Sequence, residues 1–309
     1  MQSSDSAAAP DARPSTLSIV AGMAAIYLIW GSTYLGIRYA IETLPPMVMA
    51  GTRVTLAGLI LYAWTWLRGA PRPAPLHWRD AAIMGAFLLL GGNGGVTWAE
   101  QYIPSGLAAL LVATVPLWIV LLDWVRPGGV RPTRGVAVGV GLGLAGVALL
   151  IGPTRLLGGT VLHPAGVAVT MLGAFAWSVG SLYLRRAKLP AVPLQSTGMQ
   201  MLAGGAWLFL AATLTGDWGR LHMDAISLKS GLALAYLVVL GSIVAFSVYL
   251  WLVRTTSPAL ASTYAYANPV VAMFLGWALA AEPLTWQTLV AATIIISGVV
   301  LITMARWRG

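Results

Sequence analysis

Long apolar runs alternate with short polar segments along nearly the whole chain. Each run is close to the 20 or so residues that an α-helix needs to cross a bilayer, and the segments between runs are too short to form a separate domain. The pattern predicts an all-α membrane protein with ten transmembrane helices. Their expected spans are 17–37, 46–67, 80–101, 105–124, 133–151, 164–185, 193–214, 230–251, 257–280 and 285–305.

The third expected span carries an unusual number of polar and glycine residues. At about 100° per residue, one third of its circumference holds Asn93, Thr97, Glu100 and Gln101. A different side holds Gly91, Gly94 and Gly95. Glycine lets helices approach closely in lipid, and a polar stripe is costly against lipid, so we expect a packing side and a side that lines a water-accessible path. Alternatively, the polar residues only bond neighbouring helices or lie at the membrane surface.

Four other spans present comparable faces. These comprise Tyr27, Trp30, Tyr34 and Arg38 in the first; Trp177, Ser181 and Arg185 in the sixth; Ser242, Phe246 and Tyr249 in the eighth; and Ser257, Tyr264 and Asn268 in the ninth. Interfacial anchoring is the alternative for the aromatic residues, because Trp and Tyr gather at both membrane surfaces. From these faces and the third span we expect substrate contacts at Trp30, Tyr34, Asn93, Trp98, Trp177, Ser181, Tyr264 and Asn268.

Single residues within the spans suggest further roles. Arg53 lies inside the second span, where it either attracts a substrate carboxylate or acts as a structural clamp to Glu42, Glu100 or backbone carbonyls. Glu100 is the candidate for proton coupling, although exchange or downhill flow fits the sequence equally well. Pro116 and Pro269 each free a carbonyl and bend a helix, so they are gating kinks or static packing features.

Composition and charge agree with a membrane protein. The 309 residues are 58% hydrophobic and 9% charged, against roughly 25% charged in soluble domains. The net charge is +9, and the basic residues are distributed unequally between the two sides of the membrane. If the N-terminus is cytoplasmic, thirteen basic residues fall in cytoplasmic segments and four on the opposite side, and the positive-inside rule then predicts that both termini are cytoplasmic. Residues 1–15 are expected to form a disordered cytoplasmic tail without a cleavable signal.

Enzyme and cofactor chemistry find little support. Cysteine is absent, the three histidines have no metal-ligand spacing, and no P-loop or nucleophile elbow occurs. Gly141, Gly143 and Gly146 match a dinucleotide fingerprint but lack its strand–turn–helix context, which indicates helix packing. We expect no enzyme activity, no cofactor, no metal and no nucleic-acid partner. The expected partners are a small-molecule substrate and the lipid bilayer, with the monomer among the oligomeric states left open.

The two halves of the chain repeat one another. An offset of 147 aligns Trp30 with Trp177, Arg38 with Arg185, Pro46 with Pro193, Gly51 with Gly198 and Gly58 with Gly205. The expected halves are 16–152 and 164–305, with five helices each. Because five is odd, the second half enters the membrane from the opposite side, which is the inverted repeat of many secondary transporters.

Three stretches resemble the drug/metabolite transporter superfamily, in particular its ten-helix EamA-type members. They are “IWGSTYLGIRYAI” from Ile29 to Ile41, with Arg53 in the following span; “IPSGLAALLVATVPLW” from Ile103 to Trp118; and the segment Ser257 to Ile302, where an Asn-Pro pair precedes a Glu-Pro turn. The resemblance implies a basket of ten helices, with the third, fourth, eighth and ninth around a central cavity and the fifth and tenth peripheral. It also implies export of small metabolites across the bacterial inner membrane.

Within that superfamily we favour a secondary exporter of aromatic and other neutral amino acids that works by alternating access, as in the aromatic amino acid exporter branch. Tyr and Trp rings can stack on flat side chains, with Asn93 and Asn268 bonding the amino-acid ends. A carrier of drugs, sugars or nucleotide sugars with the same fold is the first alternative. An ion channel is the alternative from another class.

Overall fold

The computed structural model describes residues 15–126, 131–151, 163–256 and 263–307. These residues form ten helical rods and no strand. The rods are α1 (Thr16–Ala40), α2 (Pro46–Leu67), α3 (Pro75–Ala99), α4 (Ser105–Val125), α5 (Arg134–Ile151), α6 (Pro164–Tyr183), α7 (Pro193–Leu214), α8 (Leu228–Tyr236, Leu237–Val244 and Ala245–Thr255), α9 (Tyr264–Ala280) and α10 (Trp286–Trp307). Among the described residues, eight rods meet the length and hydropathy expected of a membrane span, and α5 and α9 are shorter apolar helices. The predicted all-α architecture is confirmed. The predicted tail and Ser257 lie outside the described residues.

Proline and glycine set many of the helix ends. Proline occupies the first positions of α2, α3, α6 and α7, where its missing N–H is not needed and its φ angle already suits a helix. Gly69 and Gly216 follow α2 and α7 with φ of 78° and 73°, a left-handed conformation that ends a helix at low steric cost. They are 147 residues apart, so both halves end their second helix in the same way.

Glycine also joins the halves, through two crossed helix pairs. In the α2–α7 pair, Gly51 lies opposite Gly205 and Gly58 opposite Gly198. Added Cβ atoms would meet the facing backbone at Gly58 and Gly198, Thr55 at Gly205 and the Phe209 ring at Gly51. The matched residues therefore exchange partners about a two-fold axis. The α5–α10 pair repeats the arrangement, with Gly298 against Gly139. Such close backbone contact replaces the hydrophobic driving force that is missing between helices in lipid. The exchange of partners between the two halves is the arrangement expected of two inverted five-helix repeats.

Only two of the three glycines of the fingerprint in α5 take part in this packing. Gly143 and Gly146 face Leu117 of α4 and Ile295 of α10, as a packing face requires. Gly141 has open space around its Cβ position. The prediction that all three glycines form one packing face is therefore wrong for Gly141, because it points away from both partners.

A π-helical segment interrupts the third helix of each half: Gly85–Gly94 in α3 and Leu237–Val244 in α8. The wider turn changes which residues share a face. Gly91 and Gly95 consequently pack toward α6, whereas Gly94 faces Leu208 of α7. The prediction of one glycine side was wrong, because it assumed regular α-helical rotation through this segment.

Candidate functional site

An aromatic cluster surrounds Trp30 in the middle of α1. The ring centroid of Trp30 is 4.8 Å from Tyr264, 5.2 Å from Tyr249 and 5.6 Å from Phe246. Its indole N–H donates to the carbonyl of Gly241 at 3.2 Å, within the π-helical segment of α8. Three of the predicted faces, on the first, eighth and ninth spans, thus meet at this tryptophan.

Arg53 lies beside the same segment of α8 and is 6% exposed. Its Nε donates to Ser242 Oγ at 3.1 Å, and Nη1 is buried without a hydrogen-bond partner in the described part of the chain. The predicted clamp to Glu42 is wrong, because Glu42 pairs with Lys229 at 2.6 Å. No ion pair joins Arg53 to Glu100 among the described residues, although the two lie within electrostatic range.

Glu100 follows the end of α3 and is completely buried. Neither carboxylate oxygen has a hydrogen-bond partner among the described residues, while its main-chain carbonyl accepts from Arg38 Nη1 at 2.6 Å. The Tyr34 hydroxyl is close enough to the charged groups of both Glu100 and Arg53 to interact with them electrostatically. This part of α1 therefore runs from an aromatic cluster at Trp30 to buried charges near Arg38.

The amide of Asn268 completes this region. Its main-chain carbonyl packs against Gly31, next to Trp30, and its buried Oδ1 has no donor in the described residues. We call the region the α1 patch. It comprises Trp30, Tyr34, Arg53, Tyr249, Phe246, Tyr264 and Asn268.

A second region contains the other predicted residues, Asn93, Trp177 and Ser181, and we call it the α6 patch. The Trp177 ring lies over Gly92, so close that a Cβ there would be 2.7 Å from Cε3. Ser181 Oγ donates to the carbonyl of Trp177 at 2.8 Å, within its own helix. Asn93 Oδ1 is buried without a donor among the described residues. These residues form no hydrogen bond or ring contact with the α1 patch in the described chain.

The remaining polar residues of the third span are satisfied locally. Thr97 Oγ1 donates to the carbonyl of Asn93 at 2.9 Å, and Gln101 Nε2 donates to the carbonyl of Trp98 at 3.0 Å. The Trp98 ring is 4.8 Å from Tyr102 and packs against two hydrophobic clusters of the core. Trp98 is thus engaged in core packing, and Trp30 likewise packs against a smaller buried cluster of its own.

The two prolines occupy different settings. α4 is interrupted at Ala113 and Thr114, and Pro116 lies in the first turn after this break. Pro269 lies inside the uninterrupted helix α9. The sequence predicts matching kinks, but the structure places a helix break beside only one of the prolines.

Sequence reasoning missed the role of Glu282. Its carboxylate accepts from the backbone N–H groups of Ser105 at 2.7 Å and Gly106 at 3.1 Å, at the start of α4. A carboxylate here satisfies unpaired donors and complements the positive end of the helix dipole. Ala281, which precedes it, has a φ of 52°. The Glu-Pro turn was visible in the sequence, but nothing local links it to a helix 176 residues away.

The chemistry of these groups is that of binding. Within the α1 patch are several aromatic rings, together with a cation N–H and an amide oxygen that have no hydrogen-bond partner among the described residues. The described residues contain no group of three His, Cys, Asp or Glu side chains that could hold a metal ion. Buried polar groups without partners are costly, so sites that retain them are candidates for contacts with a ligand.

Comparison with known proteins identifies relatives along nearly the full length. The chain is 40% identical over 293 residues to YedA of Escherichia coli K12, described as an uncharacterized inner membrane transporter, covering 94% of this chain and 92% of YedA. It is 26% identical over 281 residues to protein PecM of Dickeya dadantii, covering 89% and 88%. It is 21% identical over 302 residues to the uncharacterized transporter YoaV of Bacillus subtilis, covering 94% and 99%.

A solved crystal structure has the same fold. It superposes with a TM-score of 0.61 at 22% identity, covering 95% of this chain and 99% of that one. The EamA-like transporter family matches residues 17–152 and 164–304, which together make up most of the chain. The chain therefore belongs to the EamA-like transporter family, within the drug/metabolite transporter superfamily.

Proposed function

We propose that this protein is a secondary exporter of neutral amino acids, aromatic ones foremost, in the bacterial inner membrane. Both termini are cytoplasmic in this proposal, in keeping with the thirteen-to-four distribution of basic residues. Residues 16–152 and 164–305 act as the two inverted halves, and alternating access arises as one half moves against the other. Pro116 and Pro269 serve as bending points, and the monomer is the working unit.

One observation carries the proposal: the α1 patch joins an aromatic cluster to a buried guanidinium whose Nη1 has no hydrogen-bond partner in the described part of the chain. An amino-acid carboxylate accepts from Arg53 Nη1, and the ammonium group donates to Asn268 Oδ1. The side chain lies against the rings of Trp30 and Tyr264. These contacts supply the three kinds of group that an aromatic amino acid presents, and a charge-assisted hydrogen bond is the strongest of them.

The α6 patch extends the path in this proposal. Asn93 Oδ1 is another buried amide oxygen without a donor among the described residues, and Trp177 and Ser181 lie on the facing helix. A substrate that leaves the α1 patch meets these groups on its way across the membrane. Trp98 borders the route through its contacts with the core.

Glu100 is the proton site of the proposed cycle. It is buried, both of its carboxylate oxygens lack donors in the described chain, and an ionisable group inside a membrane protein is by default a candidate functional group. Protonation removes its negative charge, and deprotonation restores both a repulsion from the carboxylate of Glu282 and an attraction to Arg38 and Arg53. A proton gradient can therefore alter the charge balance next to the binding groups.

The proposal is tested by counterflow in proteoliposomes loaded with unlabelled tryptophan, phenylalanine or threonine, with entry of the labelled amino acid followed over time. Saturable exchange is expected, with tryptophan and phenylalanine preferred. Indole-3-propionate, which retains the carboxylate, should compete better than tryptamine, which lacks it, and Arg53→Gln should abolish this preference. If folded protein exchanges none of these amino acids, the proposed substrate class is wrong. Transport of sugars, nucleotide sugars or drugs by the same fold is then the next candidate.

The role of Glu100 has a separate readout. A pH gradient should accelerate tryptophan exchange or net flux by the unmodified protein, and Glu100→Gln should remove the acceleration while leaving exchange at equal pH on both sides. Glu42→Gln is the matched control, since that carboxylate is exposed and paired with Lys229. An unchanged response to the gradient in Glu100→Gln would exclude Glu100 as the proton site.

A further inference from the structure

Exposed aromatic side chains surround the turn between α2 and α3. Trp64 and Trp66 near the end of α2 and Trp78 near the start of α3 are all exposed. Tyr62 links the two helices, with its ring centroid 6.5 Å from that of Trp66 and 5.7 Å from that of Trp78. The rings form a band at the end of two membrane spans, the depth at which lipid headgroups meet acyl chains.

Two arginines lie over this band. The guanidinium carbon of Arg68 is 4.5 Å from the ring centroid of Trp64, and that of Arg72 is 5.6 Å from Trp66. Neither arginine has a carboxylate partner among the described residues, whereas nearby Arg79 pairs with Asp80 at 2.9 Å. Both guanidinium groups are oriented by the rings and keep their donors available for an anion.

The turn that carries the arginines is fixed by hydrogen bonds. Gly69 turns the chain with a φ of 78°, and the N–H of Ala70 donates to the carbonyl of Thr65 at 3.0 Å. Gln195 Nε2 of α7 donates to the carbonyl of Pro71 at 2.9 Å, between the two arginines in sequence. The cations are therefore held in place before a ligand arrives, which reduces the ordering cost of binding.

We propose that this band binds the headgroup of an anionic phospholipid. The lipid phosphate accepts hydrogen bonds from Arg68 and Arg72, and the first carbons of the acyl chains lie against the exposed Trp rings and Leu67. An anionic lipid is preferred over a zwitterionic one, because the cationic group of a zwitterionic headgroup would be repelled by the two arginines. This inference does not depend on which substrate the protein carries.

The test is native mass spectrometry of the full-length protein in detergent, titrated with phosphatidylglycerol or with phosphatidylcholine. The unmodified protein should retain phosphatidylglycerol preferentially. Arg68→Gln with Arg72→Gln should lower its affinity for phosphatidylglycerol roughly 30-fold, since each of the two cations near a membrane surface adds on the order of 1 kcal/mol of attraction. Arg68→Lys with Arg72→Lys should retain part of the binding, because charge remains while the planar donor groups are lost.

Arg186→Gln with Lys188→Gln is the matched control. It removes two basic side chains that are expected on the same side of the membrane but that lie over no aromatic ring in the described chain. It should leave occupancy within twofold. An equal loss in this control would show nonspecific attraction to the basic side and overturn the site. Unchanged occupancy in the Arg68 and Arg72 double variant would also overturn it, as would complete displacement of the lipid by inorganic phosphate.

Discussion

The α1 and α6 patches each contain a tryptophan at the same position of the repeat, but the two tryptophans have different surroundings. Trp30 and Trp177 are 147 residues apart and correspond in the two halves. Trp30 donates its N–H to Gly241 and contacts three rings, whereas Trp177 lies over Gly92 without a ring partner or an indole hydrogen bond in the described residues. The backbone repeats, but the contacts made by the side chains do not.

The contrast continues along the paired helices. Arg53 reaches across to Ser242 of the other half, whereas its counterpart Gln200 bonds Ser196 within its own helix at 3.1 Å. Arg38 donates to the carbonyl of Glu100 at 2.6 Å, whereas its counterpart Arg185 is 55% exposed and 3.6 Å from Asp123.

The repeat thus supplies a common scaffold, whereas the α1 patch is built from side chains of both halves that meet at only one of the two equivalent positions. Helix pairs related by the two-fold axis need matching glycines, because backbone contact depends on them. In the proposed function a ligand needs polar groups at one place, and the α1 patch is the candidate for that place. We therefore compare variants at corresponding positions of the two halves, and in one case a packed glycine with an open one.

The largest difference is expected between Arg53→Gln and Gln200→Ala. Removal of the buried cation should reduce tryptophan exchange roughly 100-fold, equivalent to about 3 kcal/mol for loss of one partner in a buried charge interaction. The Gln200 variant should stay within threefold, since that amide bonds only its own helix. Counterflow in proteoliposomes measures both, and equal losses would show that the two positions contribute alike.

Arg38→Gln and Arg185→Gln should differ in stability. Loss of the hydrogen bond from Arg38 to the Glu100 carbonyl should cost about 1.5–3 kcal/mol, the range for bonds that involve a charged group. Arg185 forms an exposed pair, so its loss should cost about 0–1 kcal/mol. Thermal unfolding of the purified proteins in one detergent gives the comparison, and a lower Tm for Arg185→Gln than for Arg38→Gln would reverse it.

Gly92→Ala tests whether Trp177 is engaged in packing. The added Cβ would meet Cε3 of the Trp177 ring at 2.7 Å, so overpacking should destabilise the protein by about 1–3 kcal/mol. Gly141→Ala is the matched control because no atom lies within 4 Å of its Cβ position. Trp177→Ala in the Gly92→Ala chain should restore part of the lost Tm, and failure to do so would place the strain elsewhere.

The smallest effect is expected from replacement of the indoles by phenyl rings. Trp30→Phe keeps an aromatic ring but removes the hydrogen bond to Gly241, so exchange should fall about fivefold, matching the roughly 1 kcal/mol of a net hydrogen bond. Trp177→Phe should stay within twofold, because its N–H has no partner among the described residues. Similar losses in both would remove the distinction between the indoles.

Much of the helix arrangement was predictable from local signals. The bounds of α2 and α7 match the expected spans because Pro46 and Pro193 begin these helices, while their apolar runs end just before a turn. The chain is α-helical from Thr16 to Ala40, so Trp30, Tyr34 and Arg38 lie along one side of α1 as their spacing predicts. Such features depend on residues within one or two turns of each other.

The partners in the site were not predictable in the same way. Arg53 bonds a serine 189 residues away, and Glu282 binds backbone groups of α4 176 and 177 residues away. The π-helical segment of α3 altered the expected glycine side because an additional residue per turn rotates everything that follows. These outcomes depend on how the rods pack, which apolar periodicity alone does not encode.

The claim that the α1 patch binds the substrate is tested most directly by protection from a thiol reagent. The natural chain has no cysteine, so Tyr264→Cys and Ser181→Cys each introduce a single thiol, at half-buried positions in the α1 and α6 patches. Labelling by a methanethiosulfonate reagent is followed with and without L-tryptophan, in variants that still exchange it. We predict that tryptophan slows labelling at position 264 several-fold more than at position 181. Equal protection at both positions, or protection at 181 alone, would contradict the account.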